Sequence, residues 1–279
     1  MQRSSKIFGG ALAALVLTAG ASAHATPSGP VKSLILGDWW GGDATLTSIK
    51  TDLIGGDARF NAAASGAWDL TNGLPTQSYL SQFNSVLVFT DSMSVNETDL
   101  SNLLGAYVQH GGGVVISTFW GQEAGNAGGL LNSSGFNPLT NPTWLAYQSA
   151  SLGSFNAADP LMQGVRSLSS SVYNGDYMPG LDAGATLAAS WDNGRPLAAY
   201  NAAHNVVDIT LYPNVVTFGH ATGDYQRLFA NGLAFSAGDV SGFGGGGAVP
   251  EPATWSLMLV GFGALGATLR RRRQAAVAA

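Results

Sequence analysis

The groups singled out for chemistry in this chain are carboxylates, hydroxyls and histidines, and its 279 residues include no cysteine. The absence of cysteine excludes disulfides, thiolate metal sites and thiol nucleophiles. After residue 26 the histidines are His110, His204 and His220, and no two of them have the spacing of metal ligands. We therefore expect neither a bound metal nor another cofactor.

The three histidines differ in their sequence context. His110 ends a predicted helix, where a positive ring interacts favourably with the helix dipole, so a capping role is favoured over catalysis. His204 precedes Asn205 in a predicted turn, and we expect it to be solvated. His220 lies near the rim of the predicted site, four residues before Asp224.

Ser117 is the candidate for a nucleophilic hydroxyl, because it ends a predicted strand. A nucleophile elbow has glycines two residues before and two residues after its serine. Those positions hold Val115 and Phe119 in this chain. We therefore interpret Ser117 as a strand-end hydroxyl bonded to nearby backbone, and no catalytic residue is assigned.

Acidic and aromatic residues follow several predicted strands, and ligands of open α/β sheets bind beyond the carboxyl ends of the strands. That rule selects a candidate ligand rim, which consists of Asp38, Trp39, Trp40, Asp91, Trp120 and His220. Indole rings at strand ends could stack on sugars, and packing under loops explains them equally well. The alternative function is a glycan hydrolase that uses Asp38, Asp91, Glu123 or His220 as acid and base.

Strand and helix patterns in the first half of the chain predict how the residues of the candidate ligand rim are positioned. Residues 31–37 and 85–90 are short apolar runs typical of buried strands, and residues 44–54 have a helical pattern. Ser94 and Glu97 have the spacing of a capping box before an apolar helical stripe that runs to His110. Three glycines then precede a strand at 114–117, so strand, helix and strand form a βαβ unit with parallel strands.

The second half of the chain has weaker patterns. Residues 121–156 predict a long loop with one helix near Trp144. Residues 185–191 and 195–200 flank Asn193-Gly194, which is a strong signal for a β-hairpin. A further strand is predicted at 206–212 and a final helix at 224–235.

Four stretches occur in an order that resembles the class I glutamine amidotransferase-like superfamily, in particular its noncatalytic, ThuA-like relatives: residues 83–118, 159–165, the hairpin around Asn193-Gly194, and 224–233. The resemblance implies an α/β, flavodoxin-like domain over residues 26–240, with a mostly parallel sheet and a C-terminal β-hairpin addition. The family's Cys-x-Gly pattern places Phe119 at the nucleophile position. Amidotransferase chemistry is therefore not expected.

The charge of residues 26–249 restricts the partners of this domain. This segment contains six basic and sixteen acidic residues, which gives a formal net charge of about −10. Such a surface argues against nucleic acid or anionic lipid as a partner.

Residues 1–25 have the pattern of a cleavable signal peptide. Arg3 and Lys6 precede an apolar stretch at 7–17, and a run of small residues follows. Cleavage after Ala23 and cleavage after Ala25 fit equally well.

The C-terminus carries a second targeting signal after a glycine-rich linker at 241–249. Pro250-Glu251-Pro252 is followed by an uncharged run at 253–269 and then by Arg270, Arg271, Arg272 and Arg273. The uncharged run has the minimum length of a transmembrane helix, and the arginines should stay on the cytoplasmic side. This order of parts in residues 250–279 closely resembles the PEP-CTERM sorting domain. The resemblance implies an exported precursor that is anchored in the inner membrane and is processed by an exosortase-type enzyme. The expected final location is the cell surface or the outside of the cell. Polysaccharide or envelope components would be the partners there.

Overall fold

The computed structural model describes residues 27–38, 42–90, 94–117, 128–140, 145–146, 149–171, 174–176, 180–213 and 221–239. All of them lie in the first of two compact units, Met1–Val240, and the second unit is Ser241–Ala279. Within the described ranges, no helix has the length and apolar character needed to cross a bilayer. The predicted span at 253–269, the signal peptide and the sorting motif lie outside these ranges.

The described residues form fourteen strands, five α-helices and two short 3₁₀ turns at Leu70–Asn72 and Pro160–Met162. The strands are β1 (Ser33–Gly37), β2 (Gly66–Asp69), β3 (Ser85–Phe89), β4 (Gly113–Ser117), β5 (Leu139–Thr140), β6 (Leu145–Ala146), β7 (Ala150–Phe155), β8 (Leu168–Ser170), β9 (Asn174–Asp176), β10 (Gly180–Leu181), β11 (Thr186–Trp191), β12 (Pro196–Asn201), β13 (Val206–Ile209) and β14 (Ala221–Gly223). The helices are α1 (Gly42–Ile54), α2 (Gln77–Leu80), α3 (Glu97–Gln109), α4 (Leu130–Ser133) and α5 (Tyr225–Ser236).

Five parallel strands form one half of a ten-stranded sheet, in the order β2-β1-β3-β4-β13. This is the flavodoxin-like strand order, with β13 in the fifth place. The strands β1, β3 and β4 are buried along their whole length, which explains their continuous apolar sequences. The prediction of parallel strands joined by a helical crossover is confirmed.

Helices cover both faces of this parallel half. Alternate residues of β1, β3 and β4 pack with α2, α3 and α4 in one apolar cluster, in which Leu104 is fully buried. The helices α1 and α5 pack on each other, and Gly232 of α5 lies over Val115 and Ile209 on the opposite face. The domain therefore has the helix, sheet, helix layering of doubly wound α/β folds.

The other half of the sheet is antiparallel and larger than the predicted single hairpin. Strands β11 and β12 form that hairpin, and its turn contains Gly194 with a φ of 83°. The sheet then continues from β11 to β7, β8 and β14. The sequence predicts a long loop with one helix at 121–156, but the described part of this segment contains the short helix α4 and the strands β5, β6 and β7. Trp144 lies outside the described residues.

Candidate functional site

The strand order of the parallel half reverses between β1 and β3. From β1 the chain crosses to β2 on one side, and β3 leads to β4 on the other side. Such a reversal opens a crevice beyond the carboxyl ends of the two central strands, where open α/β sheets bind their ligands. The candidate site is therefore built by the residues that follow β1, β3 and β4.

Asp38 directly follows β1 and has no solvent-exposed surface. One carboxylate oxygen, Oδ2, accepts hydrogen bonds from the Ser94 backbone N–H at 3.0 Å and from the Ser94 hydroxyl at 2.7 Å. Asp38 thus bonds the end of β1 to the segment that leads into α3.

The start of α3 differs from the predicted capping box. The helix begins at Glu97, and the N-cap is Asn96, whose side-chain oxygen accepts the Asp99 backbone N–H at 3.1 Å. Ser94 is not the N-cap because it lies two residues too early and its hydroxyl is donated to Asp38. The buried side chain of Glu97 turns instead toward Thr90 at the end of β3, with 3.4 Å between Oε1 and the threonine hydroxyl.

Ser117 ends β4, and its hydroxyl donates to the backbone oxygen of Leu211 at 2.6 Å. Only 2% of the residue is exposed. The hydroxyl therefore bonds the end of β4 to the chain that leaves β13. This confirms the interpretation of Ser117 as a strand-end hydroxyl that bonds to backbone.

Asp69 is a residue of this edge that the sequence patterns did not reveal. It ends β2 and accepts the Thr71 backbone N–H at 2.8 Å, which caps the 3₁₀ turn that follows. Its other oxygen lies so close to Gly42, the first residue of α1, that a Cβ there would come within 2.9 Å. Gly42 also has a φ of 58°, so a side chain at this position would be both strained and crowded.

Of the predicted ligand rim, the structure describes Asp38 alone. Trp39, Trp40, Asp91, Trp120 and His220 lie outside the described residues, as do Phe119 and Glu123. The aromatic rim therefore remains a prediction. The structure adds Thr90, Ser94 and Asp69 to the strand-end edge. Of these, Thr90 could have been found from the sequence because it is the last residue of the predicted strand at 85–90.

The two described histidines, His110 and His204, both make contacts within the fold. His110 is the C-cap of α3, and its Nδ1 lies 2.7 Å from the Ala106 backbone oxygen, which confirms the predicted capping role. His204 lies in the predicted turn but is only partly solvated, because its ring packs on Phe136 with 4.6 Å between the centroids. The part of the chain that the structure describes holds no group of three acidic, histidine or cysteine residues that could bind a metal ion.

Comparison with known proteins identifies the C-terminal tail and the fold. Residues 248–273 match the PEP-CTERM protein-sorting motif. This match confirms the resemblance carried by Pro250-Glu251-Pro252 and the four terminal arginines. No curated protein matches the chain significantly in sequence.

Two solved structures share the fold of the α/β unit. A Bacteroides uniformis ThuA-like protein aligns with a TM-score of 0.52 at 12% identity, over 75% of this chain and 93% of its own. A GMP synthase-type protein from Thermoplasma acidophilum aligns with a TM-score of 0.50 at 11% identity, over 75% of this chain and 95% of its own. At these identities the likeness establishes the fold and nothing more. The structural neighbours are thus ThuA-like and class I glutamine amidotransferase-like folds.

Proposed function

We propose that this chain is an exported protein of the cell envelope or extracellular matrix, whose α/β domain binds a ligand without catalysing a reaction. The matched sorting motif at 248–273 supports the export. The noncatalytic role is supported most directly by Ser117, whose buried hydroxyl is donated to Leu211, in a chain that has no cysteine.

The proposed route to the cell surface uses both ends of the chain. The signal peptide at 1–25 directs export, and the uncharged run at 253–269 holds the precursor in the inner membrane with Arg270–Arg273 on the cytoplasmic side. An exosortase-type enzyme then recognises Pro250-Glu251-Pro252 and removes the tail. The product is a cell-surface or extracellular protein.

The polar groups at the strand ends form internal bonds, which favours binding over catalysis. Nucleophilic catalysis needs a hydroxyl or thiol within hydrogen-bond reach of a base and exposed to its substrate. Ser117 instead donates to a backbone oxygen, and Asp38 accepts twice from Ser94. Both residues join chain segments around the crevice, so they shape the floor of a binding site.

The ligand would contact the aromatic rim that the sequence predicts. Trp39 and Trp40 directly follow Asp38 in sequence, and Trp120 follows Ser117 by three residues. Indole rings offer a large apolar surface for stacking on a sugar ring, with a polar N–H at the edge. We therefore propose polysaccharide or another envelope component as the partner.

The burial of Asp38 also weighs against the alternative glycan hydrolase. A glycosidase needs two carboxyl groups on either side of the scissile bond, roughly 5–10 Å apart and open to the substrate. Asp38 is fully buried and bonded to Ser94, so it is not placed to protonate a leaving group. A hydrolase would then depend on Asp91, Glu123 and His220.

The proposal is tested by assaying the purified exported protein with glutamine, activated esters and model glycosides. We expect turnover of each substrate at the buffer rate. Ser117→Ala should leave every rate unchanged, and Asp91→Asn serves as the matched test of the hydrolase alternative. Hydrolysis that is lost in Ser117→Ala or Asp91→Asn would contradict the noncatalytic assignment.

A further inference from the structure

The antiparallel half of the sheet contains a cavity that is lined by none of Asp38, Asp69, Thr90, Ser94 and Ser117. It has a volume of about 460 Å³ and lies between β7, β8 and β14. This volume falls within the roughly 300–1,000 Å³ that is usual for small-molecule sites. Its lining combines the aromatic residue Phe155, the cation Arg166 and four hydroxyl residues, Ser151, Ser167, Ser169 and Thr222.

Hydrogen bonds hold the polar wall of this cavity in place. The Asp224 carboxylate accepts the backbone N–H groups of Arg166 at 2.8 Å and of Ser167 at 2.9 Å. In return, the Asp224 backbone N–H donates to the Ser167 carbonyl oxygen at 2.7 Å. Gly223 has a φ of 82°, and a Cβ there would collide with that same oxygen. The wall is therefore preformed, which lowers the entropic cost of binding a ligand.

The hydroxyl groups of the cavity can both donate and accept hydrogen bonds. Ser169 and Thr222 face each other across β8 and β14, with 2.8 Å between their hydroxyl oxygens. A hydroxyl has one proton and two lone pairs, so this pair keeps acceptor capacity toward a ligand. Sugar hydroxyls have the same mixed character, and they match such a wall better than a purely anionic or purely cationic ligand does.

Phe155 provides the apolar part of the site. It ends β7 and is 38% exposed, although aromatic side chains of this size are usually buried. Leu168 of β8 is buried in the same lining. An exposed ring beside hydroxyl groups suits the face of a pyranose, which presents C–H groups on one side and hydroxyl groups at its edge.

The charges around the cavity favour a neutral ligand. Arg166 is the one cation among the described residues of the lining. The pKa of the Asp224 carboxyl is lowered mainly by the two backbone N–H bonds, and the positive charge of Arg166 is close enough to help lower it further. The surrounding segment, residues 26–249, has a net charge of about −10 and would repel an acidic sugar. For a neutral ligand, the role of Arg166 is to donate hydrogen bonds from its guanidinium to the ligand hydroxyls.

We propose that this cavity is a second ligand site, which binds one or two units of a neutral pyranose saccharide with the sugar ring against Phe155. The site uses no residue of the predicted aromatic rim, so its failure and the failure of the function proposed above are distinguishable.

The test is calorimetric titration of the full chain, purified in detergent, with cellobiose, maltose and lactose, and with glucuronate as the charged comparison. We expect at least one neutral disaccharide to bind, and glucuronate to bind more weakly. Phe155→Ala should weaken binding about tenfold, since it removes the stacking surface. Phe155→Leu keeps an apolar side chain without the flat ring and should also weaken binding.

Leu187→Ala is the matched control, because Leu187 is a 41% exposed apolar residue of the same sheet that does not line the cavity. It should bind as the wild type does, and thermal unfolding of each variant establishes that the fold is kept. The proposal is overturned if no neutral disaccharide binds, if glucuronate binds more tightly, or if both Phe155 variants bind normally. Binding that is lost in Trp40→Ala but kept in Phe155→Ala would place the saccharide at the rim and would also overturn it.

Discussion

The carboxylate of Asp38 accepts both the backbone N–H and the hydroxyl of Ser94, and this pair joins the end of β1 to the approach of α3 across the point where the strand order reverses. In a flavodoxin-like sheet this is the edge at which ligands bind. The structure therefore uses an acidic residue of the predicted ligand rim to fix the floor of the crevice.

Replacing Asp38 by alanine should lower the free energy of unfolding by about 1–3 kcal/mol, because it removes two hydrogen bonds that each contribute about 0.5–1.5 kcal/mol. Ser94→Ala removes the hydroxyl bond and leaves the backbone bond, so its cost should be smaller, about 0.5–1.5 kcal/mol. Urea unfolding of the two variants gives both values. The relationship would be refuted if Asp38→Ala were no more destabilising than Ser94→Ala.

Leu104→Asp should destabilise the domain by several kcal/mol, because it places an unpaired charge in the apolar cluster between α3 and the sheet. The matched control is Gln109→Asp, an exposed position at the end of the same helix. There the added charge meets the helix dipole only, at a cost below about 1 kcal/mol. Equal losses of stability in the two variants would contradict the placement of α3.

The stability of the domain should depend on pH through Asp224. Hydrogen bonds from the backbone N–H groups of Arg166 and Ser167 lower the pKa of the Asp224 carboxyl below its usual value. A group with a lowered pKa stabilises the fold above its unfolded-state pKa, about 3.9, and loses this contribution as the pH falls through its folded-state pKa.

The wild type should therefore be more stable than Asp224→Asn at pH 7, and the difference should shrink as the pH falls below about 4. Chemical denaturation between pH 2 and pH 7 measures this difference. Asp192→Asn, at the exposed hairpin turn, controls for the loss of one negative charge. If the free energies of unfolding of wild type and Asp224→Asn differed by the same amount from pH 2 to pH 7, the predicted role of Asp224 would be contradicted.

Loss of the rim tryptophans should weaken binding of the exported protein to envelope polysaccharide, the partner proposed above. Trp40→Ala and Trp120→Ala each remove an indole that would stack on the ligand. The measurement is co-sedimentation of each variant with purified envelope polysaccharide, and Phe155→Ala reports separately on the second cavity. If binding survives the loss of both tryptophans, the rim has no role in it.

Strong local patterns made the centre of this fold predictable. The strands β1, β3 and β4 are fully buried, so their sequences are continuous apolar runs, and the stripe of α3 follows the helical period. Asn193-Gly194 specified the hairpin turn because glycine adopts the positive φ that such a turn requires.

The edges of the sheet were less predictable because burial there is partial. Strand β2 is mostly half-buried, and β7 and β8 are rich in serine, so neither shows a continuous apolar run. The bond between Asp38 and Ser94 joins residues 56 positions apart, and no local pattern reports it. Ser94 has the local spacing of a capping box, but its hydroxyl bonds to Asp38 instead. The local motif therefore predicted the wrong N-cap for α3.

The central claim is that this chain is exported and sorted through its C-terminal motif, and intact-mass analysis of the exported protein tests it most directly. The predicted product begins after Ala23 or Ala25 and lacks Arg270–Arg273, since each terminus carries its own processing signal. Glu251→Ala should leave a membrane-held precursor to accumulate. An exported wild-type product that still carries Arg270–Arg273 would contradict the account.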